Sequence, residues 1–158
     1  MSLGKTLTCA SFALALVAAN PAGAASNPLA GKMSIYNPLL AGQWSCTAEG
    51  STYSATYAVA PGNALHGHLF SAQGSEDAYF GYSSATQRYW RANADSTGAT
   101  ESQTSTDGII YSGTLNDGKV SSRATSVFTI VNAKKWTVRA RGIAGGKPYD
   151  FIATCQRV

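Results

Sequence analysis

Charge is scarce in this sequence. Only 13% of its 158 residues are Asp, Glu, Lys or Arg, and two are histidine. Twelve basic residues against eight acidic ones leave a formal charge of +4. Apart from Lys134-Lys135 and Arg139/Arg141 the basic residues are scattered. They make no stripe that would track a phosphate backbone, so nucleic acid is not an expected partner. Helical periodicity is missing too: after residue 43 no stretch repeats apolar residues every three or four positions. The common catalytic motifs are absent. No Gly-x-Ser-x-Gly elbow precedes a helix, and no glycine loop could cradle phosphate.

The titratable residues suggest little chemistry. His66 and His68 are two apart, the ligand spacing of a strand, but a third ligand would have to come from an Asp or Glu elsewhere. Leu65 and Leu69 on the alternate positions place both histidines on the outer face, while Phe70 argues the other way. No metal and no cofactor are expected. Asp95, Asp107 and Asp117 sit in turn motifs, where Asp bonds nearby backbone. Glu76-Asp77 reads as loop, with the two side chains facing apart if extended. Glu101 lies in Ala99–Thr104, a segment polar on both faces that reads as an edge-like or poorly ordered strand. Asp150 falls opposite the expected inward face. No acid–base pair stands out, so catalysis is the less expected class.

Cysteine is also rare, and its placement is informative. Cys9 lies in a segment with the pattern of a signal peptide: Lys5, an apolar run from Leu7 to Ala19, a break at Asn20-Pro21, and Ala22-Gly23-Ala24 as a small-x-small cleavage site. The alternative is an uncleaved anchor, for which the run is short of the roughly 20 apolar residues a spanning helix needs. The expected organisation is a signal peptide over 1–24, a lead-in with a short helical turn over 25–42, and one domain over 43–158. The mature protein is then exported, periplasmic or secreted, with no membrane span; its oligomeric state is open. Export leaves Cys46 and Cys155 as the only cysteines, which reads as one disulfide, with two separate buried thiols as the alternative.

What the sequence has in quantity is alternation. Ten strands are expected, at 43–48, 53–60, 65–72, 78–84, 88–94, 99–104, 109–115, 120–131, 135–142 and 149–157. Strong turn signals punctuate them, including Pro61-Gly62-Asn63, Asp107-Gly108, Asn116-Asp117-Gly118 and Gly145-Gly146. Many short strands joined by tight turns predict an all-β, up-and-down antiparallel barrel, with a sandwich as the alternative. If Cys46 faces Cys155 across an antiparallel ladder, counting two residues along puts Trp44 opposite Arg157. Pairing the first and last strands would close the sheet and remove its edges. It would also bring the Arg157 guanidinium within reach of the Trp44 ring.

Gly42-Gln43-Trp44 after a short helical turn resembles the Gly-x-Trp opening of lipocalin-type barrels, a group that includes avidin-like and fatty-acid-binding barrels. In that group an Arg of the last strand packs over the Trp, a role the resemblance assigns to Arg157. The stretch from Tyr82 to Gly98, with Tyr89, Trp90, Asp95 and Gly98, is similar to uncharacterised bacterial lipocalin-like barrels related to nitrobindin. The second and third lipocalin signatures are incomplete, and no His near the C-terminus matches the haem ligand of a nitrobindin. The resemblance implies a small-molecule cup and leaves its content open.

Aromatic residues supply the candidate lining. Phe80, Tyr82, Trp90, Tyr111, Phe128, Trp136 and Phe151 fall on faces assigned inward, among many Ala, Gly, Ser and Thr. Rings beside small neighbours either leave a cavity or interlock into a solid core. The leading expectation is a barrel that binds a small apolar molecule by enclosure. Two other classes stay open: an interaction or inhibitor module with a packed barrel, and a barrel enzyme resembling cyclases or isomerases. A buried carboxylate beside a cavity Tyr or Arg would favour the enzyme.

Overall fold

A computed structural model describes residues 32–34 and 36–158; the expected signal peptide lies outside the described residues. A helical turn, α1 (Asn37–Leu40), precedes ten strands: β1 (Gly42–Ala48), β2 (Ser51–Val59), β3 (Leu65–Ser71), β4 (Gly74–Ser83), β5 (Arg88–Asp95), β6 (Thr100–Ser105), β7 (Ile110–Asn116), β8 (Ser121–Asn132), β9 (Lys135–Ala144) and β10 (Lys147–Arg157). Each strand pairs antiparallel with its neighbours in sequence, and β1 pairs with β10, so the sheet is a closed up-and-down barrel. Two-residue turns with both φ positive, at Glu49-Gly50 and Gly145-Gly146, join β1 to β2 and β9 to β10. Those φ values match the right-handed twist of the flanking strands.

The period of two decides which side chains face inward. Trp44 and Cys46 on β1 are buried while Ser45 and Thr47 are exposed. Following the register around the barrel carries that inward face through Ala153 and Phe151 on β10, Trp136, Val138 and Ala140 on β9, and Ser126 and Phe128 on β8. It continues through Tyr111 on β7, Gln103 and Glu101 on β6, Arg91 and Asn93 on β5, and Phe80 and Glu76 on β4.

The closing seam has the expected register. Cys46 opposes Cys155 and Trp44 opposes Arg157. The cysteines form a disulfide with Cα atoms 4.0 Å apart, a distance reached by directly opposed residues on antiparallel strands. The Arg157 guanidinium lies 4.5 Å from the centre of the Trp44 ring. It also donates to the carbonyls of Ala41 (2.8 Å), Leu39 (2.7 Å) and Ala133 (3.0 Å). Trp44 donates its indole N–H to the carbonyl of Leu40 at 2.7 Å. One arginine and one tryptophan therefore bind the carbonyls left unpaired at the end of α1 and fix that turn across the mouth of the barrel.

This end is plugged. Met33, Tyr36 and Leu40 are all at least 95% buried. Tyr36 packs edge-on to Tyr89, whose hydroxyl donates to the carbonyl of Lys32 at 3.1 Å. Burial in this apolar plug pushes the Tyr36 hydroxyl up to about 12.

Three expectations are corrected. The segment around Ala99–Thr104 is a fully paired strand between β5 and β7, with Gln103 and Ser105 buried. Its polarity on the inner side comes from the barrel interior, where Arg91 supplies partners. Glu76 and Asp77 lie in β4 and not in a loop, with Glu76 inward and Asp77 outward. Trp90 faces outward, because Tyr89 and Arg91 take the inward positions on β5. Its ring covers Gly81 on the neighbouring strand so closely that a Cβ there would collide with it.

Candidate functional site

The end opposite α1 is open, and strand ends carry the side chains around it. An inner cavity of about 90 Å³ is lined by Tyr53, Tyr57, Phe80, Phe128, Trp136 and Phe151, with Glu76 and Arg91 among the remaining lining residues. An outer cavity of about 350 Å³ shares Glu76, Arg91, Ala140 and Phe151 with it and adds Tyr149, Asn93, Glu101, Asp95 and Glu49. The outer volume is within the range of small-molecule sites. Small inward residues leave the room: Ala55, Ala78, Ala140 and Ala153 stand where larger side chains would fill the bore.

A polar centre sits between the two cavities. Arg91, only 11% exposed, points its guanidinium across the barrel. Its Nη1 donates to Glu101 Oε2 at 2.6 Å, to Gln103 Oε1 at 2.9 Å and to Ser126 Oγ at 2.9 Å. Its Nη2 lies 3.9 Å from Glu76 Oε1. The Phe80 and Phe128 rings flank the guanidinium at 5.8 and 5.7 Å. Glu101 also accepts from Asn93 Nδ2 at 3.1 Å and Gln103 Nε2 at 3.0 Å. The register makes this cluster: Gln103 is opposite Arg91, and Glu101 is opposite Asn93. Yet the network is incomplete. Among the described residues Arg91 Nε, Asn93 Oδ1 and Trp136 Nε1 are buried without a hydrogen-bond partner.

The electrostatics follow from burial. Desolvation raises the Glu76 carboxyl above its ordinary value, Arg91 opposes that shift, and Glu101 and Asp95 add to it. Desolvation also pushes Tyr53 up to about 12, and Tyr57 and Tyr149 move upward for the same reason. All three hydroxyls therefore stay protonated donors at neutral pH.

Of the seven aromatic residues named from the sequence, Phe80, Phe128, Trp136 and Phe151 line the inner cavity. Tyr111 faces inward, but it is 1% exposed and packs edge-on to Phe80 and Phe128 toward the plugged end. Tyr82 belongs to the plug as well, 5.1 Å from the Tyr89 ring. Trp90 is outside. Sequence reading missed Tyr53, Tyr57, Tyr149, Arg91, Glu76 and Glu101. The available signal was the alternation Tyr89, Arg91, Asn93 against Trp90, Ala92, Ala94 along one strand.

The other titratable groups lie elsewhere. His66 Nε2 and His68 Nδ1 share Asp77 Oδ1 on the outer face, at 2.9 and 3.1 Å, and His66 stacks on Tyr79. Among the described residues no three His, Cys, Asp or Glu side chains are arranged to hold a metal ion. Asp107 and Asp117 tie turns together through backbone N–H groups, and Asp150 pairs with Arg139 and Arg141 on the outside. No protein-family model matches the chain, and no curated protein matches it.

Proposed function

We propose that this protein is an exported binding barrel that encloses a small, largely apolar molecule at its open end. One observation carries the reading. The barrel is packed solid at the end held by α1, while the other end keeps aromatic-lined space above a polar centre with unpartnered buried atoms. Buried N–H groups without partners are uncommon in folded proteins, and an acceptor on a bound molecule would satisfy those found here. The seam of Trp44 and Arg157 over a helical turn supports kinship with lipocalin-type barrels. The disulfide is compatible with an oxidising compartment and so with export after cleavage near Ala24.

The test is native mass spectrometry of protein isolated gently from its own host. A small molecule retained by the wild type and lost on Ala140→Trp is expected, because Ala140 lines both cavities. Circular dichroism establishes that the variant is folded. Phe151→Ala, which enlarges the cup, serves as a second variant and should change affinity without emptying the barrel. Absence of any retained or added ligand across the wild type and both variants would overturn the reading.

A second reading, an enzyme of the cyclase or isomerase kind, draws on Glu76. A carboxyl raised by burial beside Tyr53 and Arg91 is suited to proton transfer. Conversion of the retained molecule on incubation would favour it over simple binding.

A further inference from the structure

The bound molecule should carry a positive charge. This rests on the enclosure reading and specifies what is enclosed. The whole chain has eight carboxylates and a formal charge of +4. Four of the eight, Glu49, Glu76, Asp95 and Glu101, line the outer cavity, and among the described residues Arg91 is the one cation lining it. Glu101 is committed to Arg91 at 2.6 Å. Asp95 accepts from the backbone N–H groups of Thr97 and Ala99 through Oδ1 in its turn. Glu76 interacts with the Asn93 side chain and has no close ion pair, lying 3.9 Å from Arg91. An otherwise basic protein therefore presents an acidic cup.

Two further observations concern the ligand itself. The Tyr149 and Phe151 rings, with centres 5.9 Å apart, stand along the same wall; aromatic faces attract organic cations, and more strongly where water is excluded. Deeper in, Trp136 is 3% exposed, lines the inner cavity and holds an indole N–H with no partner among the described residues. An acceptor atom on the inner end of a ligand would satisfy it. We infer that the cup takes a small organic amine. Its ammonium group lies among Glu76, Asp95 and the aromatic wall, and its apolar body carries a neutral hydrogen-bond acceptor toward Trp136.

Isothermal titration with three probes of one apolar body tests this: 2-(1-naphthyl)ethylamine, 1-naphthylacetamide and 1-naphthylacetate. The amine should bind about tenfold or more tighter than the acetate, with the amide between. Added salt should narrow that gap. Glu76→Gln should weaken the amine several-fold and leave the amide unchanged. A 4-methoxy derivative of the amine should bind tighter than its parent, and Trp136→Phe should abolish that gain. If the acetate equals or exceeds the amine, or Glu76→Gln leaves their ratio unchanged, cation selection is wrong while enclosure stands. If none of the probes binds the folded protein, both ideas fall.

Discussion

Replacing both Cys46 and Cys155 with Ala should lower stability by roughly 5–6 kcal/mol, and the figure can be built from the chain itself. The disulfide spans 109 positions. Closing a loop of that length in the denatured state removes entropy worth about 4.7 kcal/mol at 25 °C in the chain-entropy model. Both sulfurs are fully buried between β1 and β10, so their loss adds a packing penalty on the order of 1 kcal/mol. For a domain of this size the melting temperature should fall by roughly 12–25 °C. Because the bond holds the two strands of highest sequence separation together, the double variant should also refold more slowly than the oxidised protein. Thermal melts by circular dichroism and stopped-flow refolding give both quantities. A melting temperature within about 3 °C of the wild type, with the disulfide proven in the parent by non-reducing peptide mapping, would refute the reasoning.

Arg157→Ala removes three charge-assisted bonds to carbonyls and the contact with the Trp44 ring, and should cost roughly 2–4 kcal/mol by urea titration; Arg157→Lys should recover little of it, since a single ammonium cannot span those carbonyls. Effects of Arg157→Ala and of the cysteine replacements should not add, because the pairs are neighbours on one ladder. Acid should destabilise the protein below about pH 4, because Asp77, Asp107, Asp117 and Asp150 are held below their ordinary values, Asp150 at about 2. Stability from a lowered carboxyl is present above its unfolded value and lost as pH falls through the folded one. Glu76 has the opposite sign: its raised carboxyl favours the fold at low pH and loses that contribution as pH rises through its folded value. Glu76→Gln should therefore gain stability over the wild type from pH 4 to pH 7 in paired denaturation curves. Trp90→Ala should leave ligand binding unchanged by titration, as the ring lies on the outer face.

Much of the fold was legible because a closed antiparallel barrel is written in local signals. Period two, turn chemistry and a pair of cysteines were enough for ten strands and the register of the seam. The site was less legible because its logic is not local. Arg91 and Glu101 meet only when β5 and β6 pair, and each alone looks like a surface charge. The polar run around Glu101 looked like an edge because inward polarity in a barrel is hard to distinguish from outward polarity until a partner is placed. Trp90 was expected inward, but Gly81 on the adjacent strand leaves room for its ring outside. The signal peptide was read from the order of Lys5, an apolar run and a small-x-small site, and it lies outside the described residues.

The polar centre can be separated from stability by comparing partial with complete removal. Arg91→Met alone leaves Glu101, 10% exposed, without its cation and strips acceptors Gln103 and Ser126 of their donor. Breaking a buried pair from one side costs about 3–5 kcal/mol, because the surviving charge stays desolvated. Changing Arg91, Glu101 and Gln103 together to Met removes the Arg91–Glu101 ion pair along with its solvation demand, leaving Glu76 as the remaining carboxyl there, and such apolar replacements of a buried pair are often neutral or stabilising. The triple variant should thus be markedly more stable than Arg91→Met and close to the wild type by chemical denaturation. If so, the centre is not what holds the barrel together, and its unpartnered Nε and the unpartnered Asn93 Oδ1 are available to a bound molecule. Binding of the naphthyl amine should then be lost in the triple variant although its fold is intact. A triple variant as unstable as Arg91→Met would assign the cluster to folding, and one that still bound the amine with wild-type affinity would remove the polar centre from the site.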